Sequence, residues 1–136
     1  MDRSVAREQA VKLVYEWEMG GDGGADTRIQ LLEVQPGEKG ADFMEALFEG
    51  VVGDVDKIDA CIGAYARGWT IERITRVDLA ILRVAVFELL HGIGGEVTPP
   101  SVVISEAVRL AGIFSTDKAS SFINGVLAGI ARGAKA

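Results

Sequence analysis

The chain predicts an all-α fold, a bundle of about six to seven helices in two packed halves, and three observations carry that expectation. Apolar residues recur with a period near 3.6 in one segment after another. No segment alternates with the period of two that marks a half-buried strand. Glycine or proline stands between most of the segments. At 136 residues, 49% hydrophobic and 25% charged, the chain is long enough for one globular domain with a core of its own. A single domain over 1–136 is therefore expected, with an N-terminal helical half over about 1–70 and a C-terminal half over about 71–136.

The first helix is expected from Ser4 to Met19, with Ala6, Ala10, Leu13, Val14 and Trp17 on one stripe and Arg3 and Arg7 to its side. Gly20-Gly21-Asp22-Gly23-Gly24 breaks it and opens a loop, with one helical turn around Ile29 to Leu32. A second helix carries Phe43, Ala46, Leu47, Gly50 and Val51, and a third carries Val55, Ile58, Ile62 and Tyr65. Asp54 or Asp56 is the N-cap between them, and Trp69 and Ile71 are expected in the core.

The widest stripe runs from Val77 to His91, where Ile81, Leu82, Ala85, Val86, Leu89 and Leu90 make a central helix that Gly92, Gly94 and Gly95 stop. Pro99-Pro100 opens the next helix, since proline is tolerated in a first turn. It runs to Phe114 with Val103, Ala107, Leu110, Ala111 and Phe114 inward. Ser115 or Thr116 caps the last helix, whose stripe is Phe122, Ile123, Val126, Leu127 and Ile130. Asn124-Gly125 would read as a hairpin turn elsewhere, but the helical period around it wins. Gly125 inside that helix suggests close approach of a backbone or a ligand.

Charge is uneven. The net charge is −6, yet residues 16–60 hold twelve acids against three bases, a balance of −9. Residues 109–136 hold four bases against one acid, +3, and the first fifteen residues add +1. A polyanion should meet the two termini and avoid the middle, unless the clusters are solvated faces only. No apolar run approaches a membrane span, the N-terminus lacks a signal-peptide pattern, and one cysteine excludes an internal disulfide framework. A cytoplasmic protein without membrane attachment is expected.

Catalytic chemistry is not evident. His91 and Cys61 are the only histidine and cysteine, too few for a zinc or haem site. His91 reads as a helix-end residue and Cys61 as a small apolar one. No phosphate loop, dinucleotide fingerprint or nucleophile elbow is present, and Glu16 and Glu18 point apart on their helix. No enzyme activity, no cofactor and no metal are expected.

Four blocks in order carry a family resemblance: Ala6-Arg7-Glu8 with Leu13-Val14-Tyr15-Glu16-Trp17; Asp78 to Leu90; Pro99-Pro100-Ser101 to Val108; and Phe122-Ile123-Asn124-Gly125-Val126-Leu127. Over nearly its whole length the chain resembles the NusB family of transcription antitermination factors. The resemblance implies two helical subdomains and a non-catalytic adaptor. It also implies pairing with NusE, a small-subunit ribosomal protein, and joint binding of boxA RNA from ribosomal RNA leaders within an antitermination complex on RNA polymerase.

On that resemblance Arg3, Arg7, Lys118, Phe122 and Asn124 are the RNA-binding candidates, a set that offers cations for phosphates and an aromatic and an amide for unstacked bases. Asp78 and Tyr15 are the partner-binding candidates. Phe122 has two readings, core packing beside Val126 or stacking on a base, and the resemblance favours stacking. Tyr15 is equally open between the first-helix core and a contact. Many relatives carry an arginine run where this chain has Asp2-Arg3-Ser4-Val5 and lysine where it has Ser121, so RNA affinity should be weak without NusE. The competing readings are a protein-interaction module with little RNA binding, and the RNA-binding part of a ribosomal RNA methyltransferase, for which these residues show no further domain. The weakly charged first helix would also permit a homodimer.

Overall fold

The computed structural model describes residues 1–21, 33–35 and 37–135. Five α-helices occur among them: α1 (Arg3–Glu18), α2 (Ala41–Tyr65), α3 (Arg76–His91), α4 (Pro100–Phe114) and α5 (Asp117–Lys135), with a 3-10 turn at Ile71–Arg73. The count is below the six to seven expected, because the second and third predicted helices join as α2. Their junction survives as a kink at Asp54, whose φ of −132° and ψ of 22° leave the helical region. The turn expected at Ile29 to Leu32 lies outside the described residues.

Local chemistry sets the helix ends. The Asp2 carboxylate accepts the Val5 N–H at 2.9 Å to start α1, Thr75 accepts the Asp78 N–H at 3.2 Å to start α3, and Thr116 accepts the Ala119 N–H at 3.1 Å to start α5. Gly92 ends α3 with φ of +65°, where a side chain would also meet the Glu96 carbonyl.

Helix α3 is the centre of the molecule and touches every other helix. It is buried nearly all round, through Leu79, Ala80, Ile81, Leu82, Val84, Ala85 and Val86. Each large side chain among these contributes about 1.5–3 kcal/mol through removal of its surface from water. Gly50 lets α2 lie against α3: a Cβ there would collide with the Phe87 ring. Two arginines tie the helices through buried charge. Arg7 of α1 grips Glu88 of α3 with bonds of 2.8 and 2.7 Å, Thr98 donates to the same carboxylate at 2.7 Å, and Glu106 of α4 lies 3.8 Å away. Arg83 grips Asp59 of α2 at 2.9 and 2.7 Å and reaches Glu18 of α1 at 3.4 Å. Planar two-pronged pairs of this kind hold both partners in one geometry.

Two expected core residues are corrected. Trp69 is 47% exposed because the chain leaves α2 at Ala66 and carries the indole onto the surface beside α5. Phe114 is 40% exposed at the last residue of α4, where its ring lies under the Lys12 ammonium. Among the described residues, no helix is long and apolar enough to cross a membrane.

Candidate nucleic-acid interface

The apolar stripe of α5 is buried through Ile123, Val126, Leu127 and Ile130, so the residues between them are forced outward. Lys118, Ser121, Asn124 and Gly125 are exposed, and Phe122 sits at the boundary, half-buried. Its ring meets Trp69 edge-on, with centroids 6.0 Å apart and planes at 62°, and the Arg73 guanidinium lies 5.6 Å from the indole. Phe122 packs one edge against the core and turns the rest of its ring to a groove. Such an arginine over an aromatic ladder presents a charged head and flat faces together.

The groove has a volume of about 700 Å³ and runs between the end of α2 and the face of α5. Tyr65, Trp69 and Phe122 are its aromatic walls, Gly125, Gly129 and Gly133 its floor, and Arg67 and Arg132 its charges, with no carboxylate side chain among the described residues of the lining. The floor is smooth by necessity. A side chain at Gly133 would collide with the Tyr65 hydroxyl, whereas a Cβ at Gly125 would meet nothing within 4 Å. Of the two expectations at Gly125, the close backbone approach is corrected, and the position faces an open groove. Arg67, Lys118 and Arg132 make no ion pair among the described residues, so their charge is available.

Beside the groove lies a smaller pocket of about 260 Å³, at the converging starts of α3 and α5. Trp69, Phe122, Arg73, Lys118, Thr75 and Thr116 line it together with Asp78, which is 8% exposed. The fold thereby brings Lys118 and Phe122, read as RNA candidates, to the same pocket as Asp78, read as a partner candidate. Arg3 stands apart, at the start of α1, bonded to Glu96 at 3.1 Å and 4.9 Å from the Phe43 ring. Tyr15 is elsewhere again, half-exposed in an apolar groove of about 240 Å³ lined by Val11, Lys12, Val77, Ala80 and Phe114.

Arg7 does not join any of these surfaces. It is 6% exposed, and the Glu88 hydrogen bonds hold its guanidinium pKa above the usual value despite the opposing cost of burial. A phosphate would have to displace a buried carboxylate to reach it, so direct RNA contact by Arg7 is corrected to a structural role. Tyr65, Arg67, Trp69, Arg73 and Arg132 line the same groove and pocket and do not stand out in the sequence. The signal available was weak: Arg67-Gly68-Trp69 follows a helix end, and Arg73 comes one turn later.

His91, in the last turn of α3, lies with its Nε2 3.2 Å from the Asp54 carboxylate at the α2 kink. Cys61 is half-buried on α2, and burial pushes its thiol pKa up, the opposite of what a nucleophile needs. Among the described residues, no three histidine, cysteine or carboxylate side chains converge to hold a metal ion.

Known proteins bear on this geometry directly. The chain is 38% identical to a transcription antitermination protein NusB of Symbiobacterium thermophilum, over 99% of this chain and 92% of that one. It is 37% identical to the protein of the same name from Acetivibrio thermocellus, over 93% and 86%. In three dimensions it superposes with a TM-score of 0.82, at 25% identity and 96% coverage of both chains, on a chain in the crystal structure of the antitermination factors NusB and NusE in complex with double-stranded RNA. The TM-score is 0.84, at 27% identity over 96% of this chain and 94% of the other, for a chain in the crystal structure of a plectonemic RNA supercoil. The NusB family model matches residues 4–132, and with that span the chain belongs to the NusB family.

Proposed function

We propose that the protein is a transcription antitermination factor that binds boxA-type single-stranded RNA of ribosomal RNA leaders together with NusE, within the antitermination complex on RNA polymerase. The observation that carries the RNA part is the α5 face: Trp69 and Phe122 in edge-on contact, flanked by Arg67, Arg73, Lys118 and Arg132, with no acid among the described residues of the larger groove and Asp78 in the smaller pocket. Single-stranded RNA needs phosphates neutralised and bases stacked, and this face offers both. Asn124, exposed one turn beyond Ser121, adds an amide that can donate to and accept from a base edge. Arg3 adds a cation at the other terminus. Support for the partner comes from the solved complex of a relative with NusE. On this side Asp78, at the head of α3, is the first candidate for the contact, and Tyr15, in an apolar groove separate from the cationic face, is the second.

The mechanism is one of adaptor binding. Phosphates are held by cations on one face while a protein docks on another, so both ligands occupy the chain at once, and a NusE that also touches the bound strand raises the strand's apparent affinity. Binding of a boxA strand and a scrambled strand, with and without NusE, at two salt concentrations tests the reading. Specific binding that tightens with NusE and weakens with salt is expected. NusE binding without RNA discrimination would replace the reading with that of a protein-interaction module.

A further inference from the structure

The chain leaving α2 touches α5 at two places, and the space between them is walled. Trp69 meets Phe122 with ring centroids 6.0 Å apart. Tyr65, the last residue of α2, lies against α5 further along, so closely that a Cβ at Gly133 would collide with its hydroxyl and one at Gly129 would press on its ring. From Phe122 to Gly129 the helix advances about 10 Å. Within that interval a Cβ at Gly125 would meet nothing within 4 Å. The groove is therefore a cup with an aromatic wall at each end, and a strand laid along it would run into both. Its volume of about 700 Å³ falls within the roughly 300–1,000 Å³ of sites that enclose a whole small molecule.

The rest of the lining decides the class of molecule. Arg67 and Arg132 have no acidic partner among the described residues, and no described carboxylate side chain lines the cup beside them. Two such guanidiniums match a terminal phosphate, which carries about two negative charges near neutral pH, better than an internal phosphodiester with a single charge. The aromatic walls give a base flat surface, and Ser121 and Tyr65 bring hydroxyls for a ribose. A simple carboxylate ligand would use the arginines and leave the rings without a planar partner. We propose that the cup binds one nucleoside 5′-phosphate, as a free nucleotide or as the phosphorylated end of a strand. The inference goes beyond the RNA reading above and can fail without it, because the cup holds a nucleotide whether or not boxA RNA lies on the neighbouring surface.

Calorimetric titration of the full chain with adenosine 5′-monophosphate, adenosine and inorganic phosphate, at neutral pH and fixed salt, is the test. The nucleotide is expected to bind about tenfold more tightly than either fragment, since neither alone meets both the rings and the arginines. Arg67→Ala and Arg132→Ala, both at exposed positions, should each weaken the nucleotide by about tenfold and leave adenosine unchanged. Gly125→Leu plugs the cup at a position where a side chain has room, and it should abolish nucleotide binding. The arginine variants and the wild-type comparison stand even where that variant does not fold. A 5′-phosphorylated strand and its 5′-hydroxyl counterpart separate the two sources: an advantage of the phosphate that Gly125→Leu removes assigns the cup to strand ends, and nucleotide binding without such an advantage assigns it to free nucleotides. No advantage of phosphate in either form overturns the inference, as does nucleotide binding that survives Gly125→Leu, and a boxA strand that still binds specifically then keeps the RNA reading in place. Failure of the nucleotide and of every strand to bind sinks both.

Discussion

Arg3 and Arg7 stand one helical turn apart and both reach the Phe43 ring, yet the structure gives them different surroundings. Arg3 remains at the surface, while Arg7 enters a bidentate pair with Glu88, 81 positions along the chain. Nothing in the local sequence distinguishes the two, since the side on which α1 meets α3 is a tertiary fact. Arg7→Ala leaves the Glu88 carboxylate buried and without its main partner. A loss of about 3–5 kcal/mol in unfolding free energy is expected from urea denaturation. RNA affinity measured where the variant still folds should change little, whereas a large loss there would restore Arg7 to the interface. Cys61 gives a second expectation at this scale. Burial raises its folded thiol pKa above the unfolded value of about 8.5, so the neutral thiol's contribution to stability is full below that pH and is lost as pH rises through the folded value. Alkylation by iodoacetamide at mildly alkaline pH should therefore be slower than for a free thiol and speed up on unfolding. An equal rate in the folded chain would show that the thiol is not shielded.

Helices were legible to the extent that their faces are amphipathic. The stripe from Ile81 to Leu90 and the capping Thr116 were readable because period and cap chemistry are local. The kink at Asp54 was read as a gap between two helices, since an acid between two apolar stripes looks like an N-cap. Trp69 misled because an isolated tryptophan after a helix is ordinarily core, and only the placement of α5 makes it a wall of the groove. Two glycines measure what sequence cannot tell. Gly50 and Gly125 both lie inside helices, so alanine at either should gain up to about 1 kcal/mol in helix propensity. At Gly50 the added methyl meets the Phe87 ring, and overpacking of about 1–3 kcal/mol should win. At Gly125 it meets nothing, so the propensity gain should appear undiminished. Thermal unfolding of Gly50→Ala and Gly125→Ala should shift in opposite directions. A rise in both would mean that α2 and α3 can separate at little cost, and a fall in both would mean that Gly125 is not free to take a methyl.

At the scale of the whole molecule, a net charge of −6 conceals a cationic face because the acids are consumed unevenly. Glu88 is spent on Arg7, Asp59 on Arg83, and Glu18 on Arg76 and Arg83, while Arg67, Lys118 and Arg132 have no acidic partner among the described residues. Counterion release then depends on these free cations and not on the total, so RNA binding should weaken with salt despite the acidic composition. Each phosphate contact adds about 0.7 to the slope of log affinity against log salt for a single strand, and Lys118→Ala and Arg132→Ala should each lower it by about that amount. Arg3 is different, since Glu96 at 3.1 Å already neutralises part of it. Arg3→Ala should lower the slope by less, and Glu96→Gln, which frees Arg3, should raise it and tighten binding. A slope unchanged by Lys118→Ala and Arg132→Ala together would show that phosphates do not meet α5, and would leave the aromatic groove to some uncharged ligand.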